Sequence, residues 1–254
     1  MNFLLRFLFN FRKPKVVVVA GKGFALSGEA IYRVLEKHFR VKKLKGPPRF
    51  HQFFQLLKKD IFIITASLNE LALPANRYLL EKSSLPIIVV TDASDISPEE
   101  DLFAEDRENT AEIEKIAKVL PAQGYLVLNF DNDAAREIKN LTNANTLTFG
   151  FQEKADIWIS DVNSDINETN FKINYQGKIV PIWIAPTPNG DMQIREANLP
   201  PSRFKRDGNP RYGVGVGKEQ IYASISAAAI GIIFGLNLVE ISQALRNYRG
   251  LLPK

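Results

Sequence analysis

At 254 residues with 45% apolar side chains, the chain is long enough for one large domain, or a domain and a small lobe, around a packed core. It has no cysteine, which excludes disulfides, thiolate metal ligands and thiol nucleophiles and fits a reducing compartment; His38 and His51 alone supply imidazole chemistry. The net charge of +5 is modest and dispersed, so no nucleic-acid partner is expected.

The first thirteen residues, MNFLLRFLFNFRK, place Phe3, Leu4, Phe7, Leu8 and Phe11 on one helical stripe, with Arg6, Arg12, Lys13 and Lys15 around it. A basic amphipathic helix of this kind suits an anionic membrane surface. Plain packing of the stripe on the body of the protein is the other reading, and both stay open. Arg6 interrupts the apolar run, which falls far short of the roughly 20 residues needed to span a bilayer, and no small-residue cleavage site follows. Neither a transmembrane helix nor a signal peptide is expected. Residues 1–13 are read as a separate segment and 14–254 as a domain.

Val16 to Ala20 is a continuous β-branched run of the kind found in a central parallel strand. After the glycine turn at Gly21 and Gly23, Ser27 is expected to cap a helix whose buried stripe is Ala30, Ile31, Val34, Leu35 and Phe39. Apolar runs at Ile61 to Thr65, Pro86 to Thr91 and Tyr125 to Asn129 alternate with helical stretches around Asn69 to Lys82 and Thr110 to Val119. That alternation predicts an α/β fold with a doubly wound, mainly parallel sheet. Thr146 to Gly150, Asp156 to Asp161, Asn170 to Tyr175 and Lys178 to Ile184 read as short strands of an antiparallel extension, with a turn at Gln176-Gly177. Pro186 to Gly217 reads as irregular surface chain. Two helices close the fold: Lys218 to Phe234, ended by Gly235, and a last one opened by an Asn237/Glu240 capping box, with Leu238, Ile241, Ala244, Leu245 and Tyr248 on its apolar side.

The order KPKVVVVAGKG…GEAIYRVLEKHFRV, LPAQGYLVLNFDND, FGFQEKADIWISDV and GKEQIYASISAAAIGIIFGLNLVEISQALRNYR resembles the central domain of the Mur ligases over about residues 13 to 250. It is most similar to the type that adds D-alanyl-D-alanine to the UDP-N-acetylmuramoyl tripeptide. The resemblance implies a P-loop-like sheet. It also implies ATP and magnesium as cofactors, used to make an acyl phosphate that an amine attacks to form an amide. Such ligases also carry an amino-terminal UDP-sugar domain and a carboxy-terminal amino-acid domain; this chain resembles a form without the full sugar domain, ending about where the carboxy-terminal domain would start.

A family phosphate loop reads roughly Gly-x-x-Gly-Lys-Thr-Thr/Ser: backbone N–H groups and a helix N-terminus cradle the phosphates, the lysine neutralises charge and the hydroxyl holds magnesium. By that resemblance Gly23 keeps the second glycine, Phe24 stands at the lysine and Ala25 at the hydroxyl, with Lys22 a neighbouring substitute or a plain turn lysine. The magnesium-binding glutamate falls on Thr65. The Thr-Asn and downstream His motif falls on Thr91-Asp92 and Ser97, the carbamylated lysine on Ile113, and the Gly-x-His-Asn turn on Gly217-Lys218-Glu219-Gln220. Asn129 and Asp131 match the Asn-x-Asp segment near the base and ribose; without a ligand they read as a strand end and an N-cap. A vestigial nucleotide site is therefore expected at Gly21, Lys22, Gly23, Asn129 and Asp131, with ATP and magnesium weakly held or lost and neither a catalytic nor a metal-binding residue assigned.

Three functional readings follow. The first is a catalytically degenerate central domain acting as a non-enzymatic partner or scaffold in peptidoglycan precursor synthesis, with another Mur ligase or its own copy as partner. The second is a working ATP-dependent acid–amino acid ligase with Lys22 at the phosphates and Asp92, Asp95 or Glu219 on the metal. The third is a peripheral membrane module acting through residues 1–13. A cytoplasmic location, at the inner face of the membrane under the third reading, is expected. The acidic stretch Asp92 to Glu108 has oxygen ligands but no metal-site spacing, and the basic stretch Arg203, Lys205, Arg206 and Arg211 with Phe204 and Tyr212 sits in a Pro/Gly loop; both are read as solvated surface.

Overall fold

A computed structural model describes residues 3–48, 58–71, 73–91, 114–115, 117–118, 120–164, 168–185, 217–246 and 248–250. Helix α1 (Phe3–Arg12) leads into β1 (Lys15–Ala20), α2 (Phe24–Leu35), β2 (Val41–Lys45) and β3 (Ile61–Thr65). Then come α3 (Leu68–Leu71), α4 (Pro74–Lys82), β4 (Pro86–Val90), β5 (Tyr125–Asn129) and α5 (Asp133–Ile138). Strands β6 (Asn145–Gly150), β7 (Ile157–Ser164), β8 (Thr169–Tyr175) and β9 (Lys178–Ile184) precede the closing helices α6 (Lys218–Ile233) and α7 (Leu238–Leu245).

These strands form one sheet in the order β2-β3-β1-β4-β5-β6-β7-β8-β9. Strand β1 lies in the parallel part, with Val17 opposite Ile63 on one side and Ile87 on the other. Its alternating side chains feed two cores, as the period of two in a strand requires. Val17 and Val19 join α2, α6 and α7 on one face, while Val16, Val18 and Ala20 meet Phe9 of α1 and Leu79 and Leu80 of α4 on the other. A strand buried on both faces can be apolar at every position, and after Lys15 the run VVVVA is.

The structure alters several expectations. Strand β2 (VKKLK) was not expected, because three lysines hide its pattern. It is an edge strand that buries Val41 and Leu44 and leaves its last lysine exposed, a charge placement that discourages edge pairing. The antiparallel extension begins later than expected: β6 is parallel to β5 and β7 parallel to β6, so only β7–β8–β9 is antiparallel. The stretch Asn69 to Lys82 is two helices, because Pro74 has no N–H to continue α3 and instead starts α4. Ser27 does not cap α2; the N-cap is Gly23, and Ser27 lies buried within the helix. The capping box at Asn237 and Glu240 is present as expected. Pro186 to Val216, the acidic and basic stretches, His51, and most of Thr110 to Val119 lie outside the described residues.

Candidate functional site

The C-terminal ends of parallel strands converge where β1 turns into α2, the usual ligand position in an open α/β sheet. Gly21 and Gly23 adopt φ of 95° and 77°, left-handed values that favour glycine. The Phe24 N–H donates to the Gly21 carbonyl at 3.0 Å and the Ser27 N–H to Gly23 at 3.1 Å, closing the turn onto the start of α2. Thr91, just past β4, fixes the loop from the side. Its hydroxyl lies 3.0 Å from the Ala20 carbonyl and 2.6 Å from that of Lys22, one proton between two acceptors.

Phe24 is half-buried and packs against the core under α2 and α6, an apolar role. The Lys22 Nζ stands 3.6 Å from Glu219 Oε1 in the first turn of α6. A Cβ added at Gly23 would lie 4.0 Å from the Glu219 Cβ, so the glutamate stands directly over the loop. With both side chains about half exposed, the pair itself adds at most about 1 kcal/mol to stability. Its chemical effect is larger, because a carboxylate stands against the lysine charge that an incoming anion would need. Behind it, Gln220 is fully buried, with Nε2 donating to the Ala185 carbonyl at 3.2 Å and Oε1 lacking a partner among the described residues.

Asn129 and Asp131 are brought to this site and are held there by hydrogen bonds within the fold. Buried Asn129 donates to the Thr91 carbonyl at 2.8 Å and accepts from the Asp131 N–H at 3.0 Å. The Asp131 carboxylate accepts from the Phe151 N–H at 2.7 Å, the Gln152 N–H at 3.3 Å and the Tyr222 hydroxyl at 2.9 Å. It is not an N-cap: that position belongs to Asn132, which accepts from the Ala135 N–H. A continuous chain of hydrogen bonds thus runs from the glycine loop through Thr91, Asn129 and Asp131 to α6. At its far end the Phe151 and Tyr222 rings meet edge to face at 5.2 Å, and Lys218 Nζ lies 5.9 and 5.4 Å from their centroids. The stapling role of Thr91 and the Phe151, Tyr222 and Lys218 cluster have no sequence signal, since the partners lie tens of residues apart.

Thr65, at the end of β3, donates its hydroxyl to the Leu44 carbonyl at 3.3 Å and presses its methyl towards Gly28 of α2. Asp92, Asp95, Ser97 and Ile113 lie outside the described residues. Among the described residues no three His, Asp or Glu side chains group as a metal site.

A family profile for the Mur ligase middle domain matches residues 96–188, the part of the chain that carries β5 to β9. Over that stretch, a little over a third of its length, the chain is similar to the Mur ligase middle domain. Among solved structures, MurF from Acinetobacter baumannii superposes with a TM-score of 0.70 at 13% identity, covering 98% of this chain and 48% of that one. MurF from Thermotoga maritima in complex with ADP gives 0.62 at 14% identity, covering 94% and 51%. The UDP-N-acetylmuramate:L-alanyl-gamma-D-glutamyl-meso-diaminopimelate ligase from Neisseria meningitides gives 0.63 at 14% identity, covering 98% and 71%. At such identities the likeness establishes the fold. The chain spans about half the length of the MurF chains it matches. A search of curated proteins by sequence returns no match.

Proposed function

We propose that this Mur ligase middle domain is catalytically degenerate and serves as a non-enzymatic partner or scaffold in peptidoglycan precursor synthesis. The observation that carries the reading is the Glu219 carboxylate set 3.6 Å from Lys22 over the glycine loop, with Phe24 rather than a cation at the head of α2. A magnesium-bound triphosphate needs positive charge and a hydroxyl at this position. Here it would meet an added negative charge, an apolar ring and Ala25, so the residues do not fit the group. Losing one such contact costs a factor of about 10² to 10³ in phosphoryl-type chemistry, and several losses at one loop compound. Asn129 and Asp131, the polar remainder, are each hydrogen-bonded within the fold.

Titration of the purified chain with ATP and magnesium by calorimetry tests the reading. No detectable heat of binding is expected. A Phe24→Lys, Ala25→Thr, Glu219→His variant is expected to gain magnesium-dependent affinity. Tight, magnesium-dependent binding by the unaltered chain would instead support the alternative, an ATP-dependent amide-forming ligase working with substitute residues such as Lys22. The scaffold role predicts a stable complex with a full-length Mur ligase, or with a second copy, in sedimentation velocity.

A further inference from the structure

Among the described side chains, helix α1 is fastened to the domain along one side. Phe9 is completely buried, its ring 5.5 Å from that of Phe62 in β3. The Arg6 guanidinium lies 5.4 Å over the Tyr78 ring of α4, Tyr78 donates its hydroxyl to the Arg6 carbonyl at 3.3 Å, and Arg12 pairs with Asp60 at 3.4 Å. The opposite side presents Phe3, Phe7 and Phe11, which are 81%, 60% and 81% exposed, with the Phe7 and Phe11 rings nearly parallel at 6.3 Å. Their four-residue spacing makes a slanting aromatic ridge that rises about 12 Å along the helix. Of the side chains described on this helix, Phe9, off the stripe, is the one packed into the body, while Phe3, Phe7 and Phe11 are exposed.

Three phenyl rings in water are unfavourable unless something covers them, since monomers seldom leave contiguous apolar surface bare. Charge identifies the cover. Arg6, Arg12 and Lys13 give this segment an excess of exposed cations, Arg6 and Arg12 on the flanks that face the domain and Lys13 just past the helix, and no acidic residue precedes Glu29. Among the described residues no helix is long and apolar enough to cross a membrane, so the contact would be with a surface. We propose that the Phe3, Phe7 and Phe11 ridge docks on an anionic phospholipid surface, rings at the headgroup–acyl boundary and cations among the headgroups. Firm anchoring of the opposite side means that the domain is held against the bilayer as a body.

Co-sedimentation of the whole chain with vesicles of phosphatidylglycerol mixed with phosphatidylcholine, against phosphatidylcholine alone, tests this. Binding is expected to the anionic vesicles only, to weaken with salt, and to fall about fivefold in Lys13→Gln. A Phe3→Ser, Phe7→Ser, Phe11→Ser variant should lose on the order of 10²-fold in partitioning while keeping its melting temperature, because these rings touch solvent in the folded protein. Failure to bind anionic vesicles, or undiminished binding by the triple variant, overturns the proposal. So does concentration-dependent self-association that the triple variant abolishes without any vesicle binding, which would make a second copy the cover.

Discussion

Asp131 illustrates how a polar side chain can be kept by the fold alone. Its carboxylate holds two backbone N–H groups of the turn after β6 and the hydroxyl of Tyr222, and a Cβ at Gly150 would come within 2.7 Å of Oδ2. Asp131→Ala should cost about 2 to 3 kcal/mol in urea unfolding, and Asp131→Asn less, since an amide oxygen still accepts. A loss within about 0.5 kcal/mol would mean the contacts are incidental. Tyr248 makes a different point. Its phenol, buried beside the start of α2, donates to the Leu26 carbonyl at 3.2 Å, and burial, helped by the Glu29 carboxylate, raises its pKa above the ordinary tyrosine value. The folded state therefore holds this proton more tightly than the unfolded chain. Stability should be full below about pH 10 and fall as pH rises beyond it. Tyr248→Phe should be less stable by about 1 kcal/mol near neutrality yet flatter above pH 10, as thermal melts across that range would show.

Between elements, α2 and β3 approach closely at Gly28 and Thr65. A Cβ at Gly28 would lie 2.4 Å from the Thr65 methyl, so the missing side chain is what lets helix and strand approach. Gly28→Ala is expected to cost about 1 to 3 kcal/mol despite alanine's better helix propensity. Adding Thr65→Ser, which removes the methyl and keeps the hydroxyl to Leu44, should recover most of that loss. Equal stability of the single and double variants would show that the clash is absorbed elsewhere. This contact gives Thr65 a packing role, alongside its place where the resemblance puts a magnesium ligand.

Across the molecule, the parts legible in the sequence were those with local causes. Val16 to Ala20 and Ile61 to Thr65 show themselves as runs buried on both faces, and Asn237 with Glu240 as a cap read within four residues. The edge strand β2 was hidden by lysines that serve its position, and the parallel setting of β6 and β7 depends on pairing that no short segment encodes. At the candidate site the glycine turn was legible, and so were the residue types at 24, 25 and 219. What a single sequence could not supply was direction: that Glu219 reaches Lys22, that Asp131 turns to Tyr222, and that Phe3, Phe7 and Phe11 of α1 face outward.

Phe24 has a consequence in time. Because its ring now packs on the core, restoring lysine there would remove apolar contact and bring a charge towards a buried face. That change alone would still leave Glu219 above the loop. Under the degenerate reading, each single reversion yields a less stable chain with no ligand gained, and only joint replacement of positions on two separate helices would restore a phosphate site. Under that same reading such substitutions would act as a ratchet: the fold persists, while the route back to a phosphate site closes behind it.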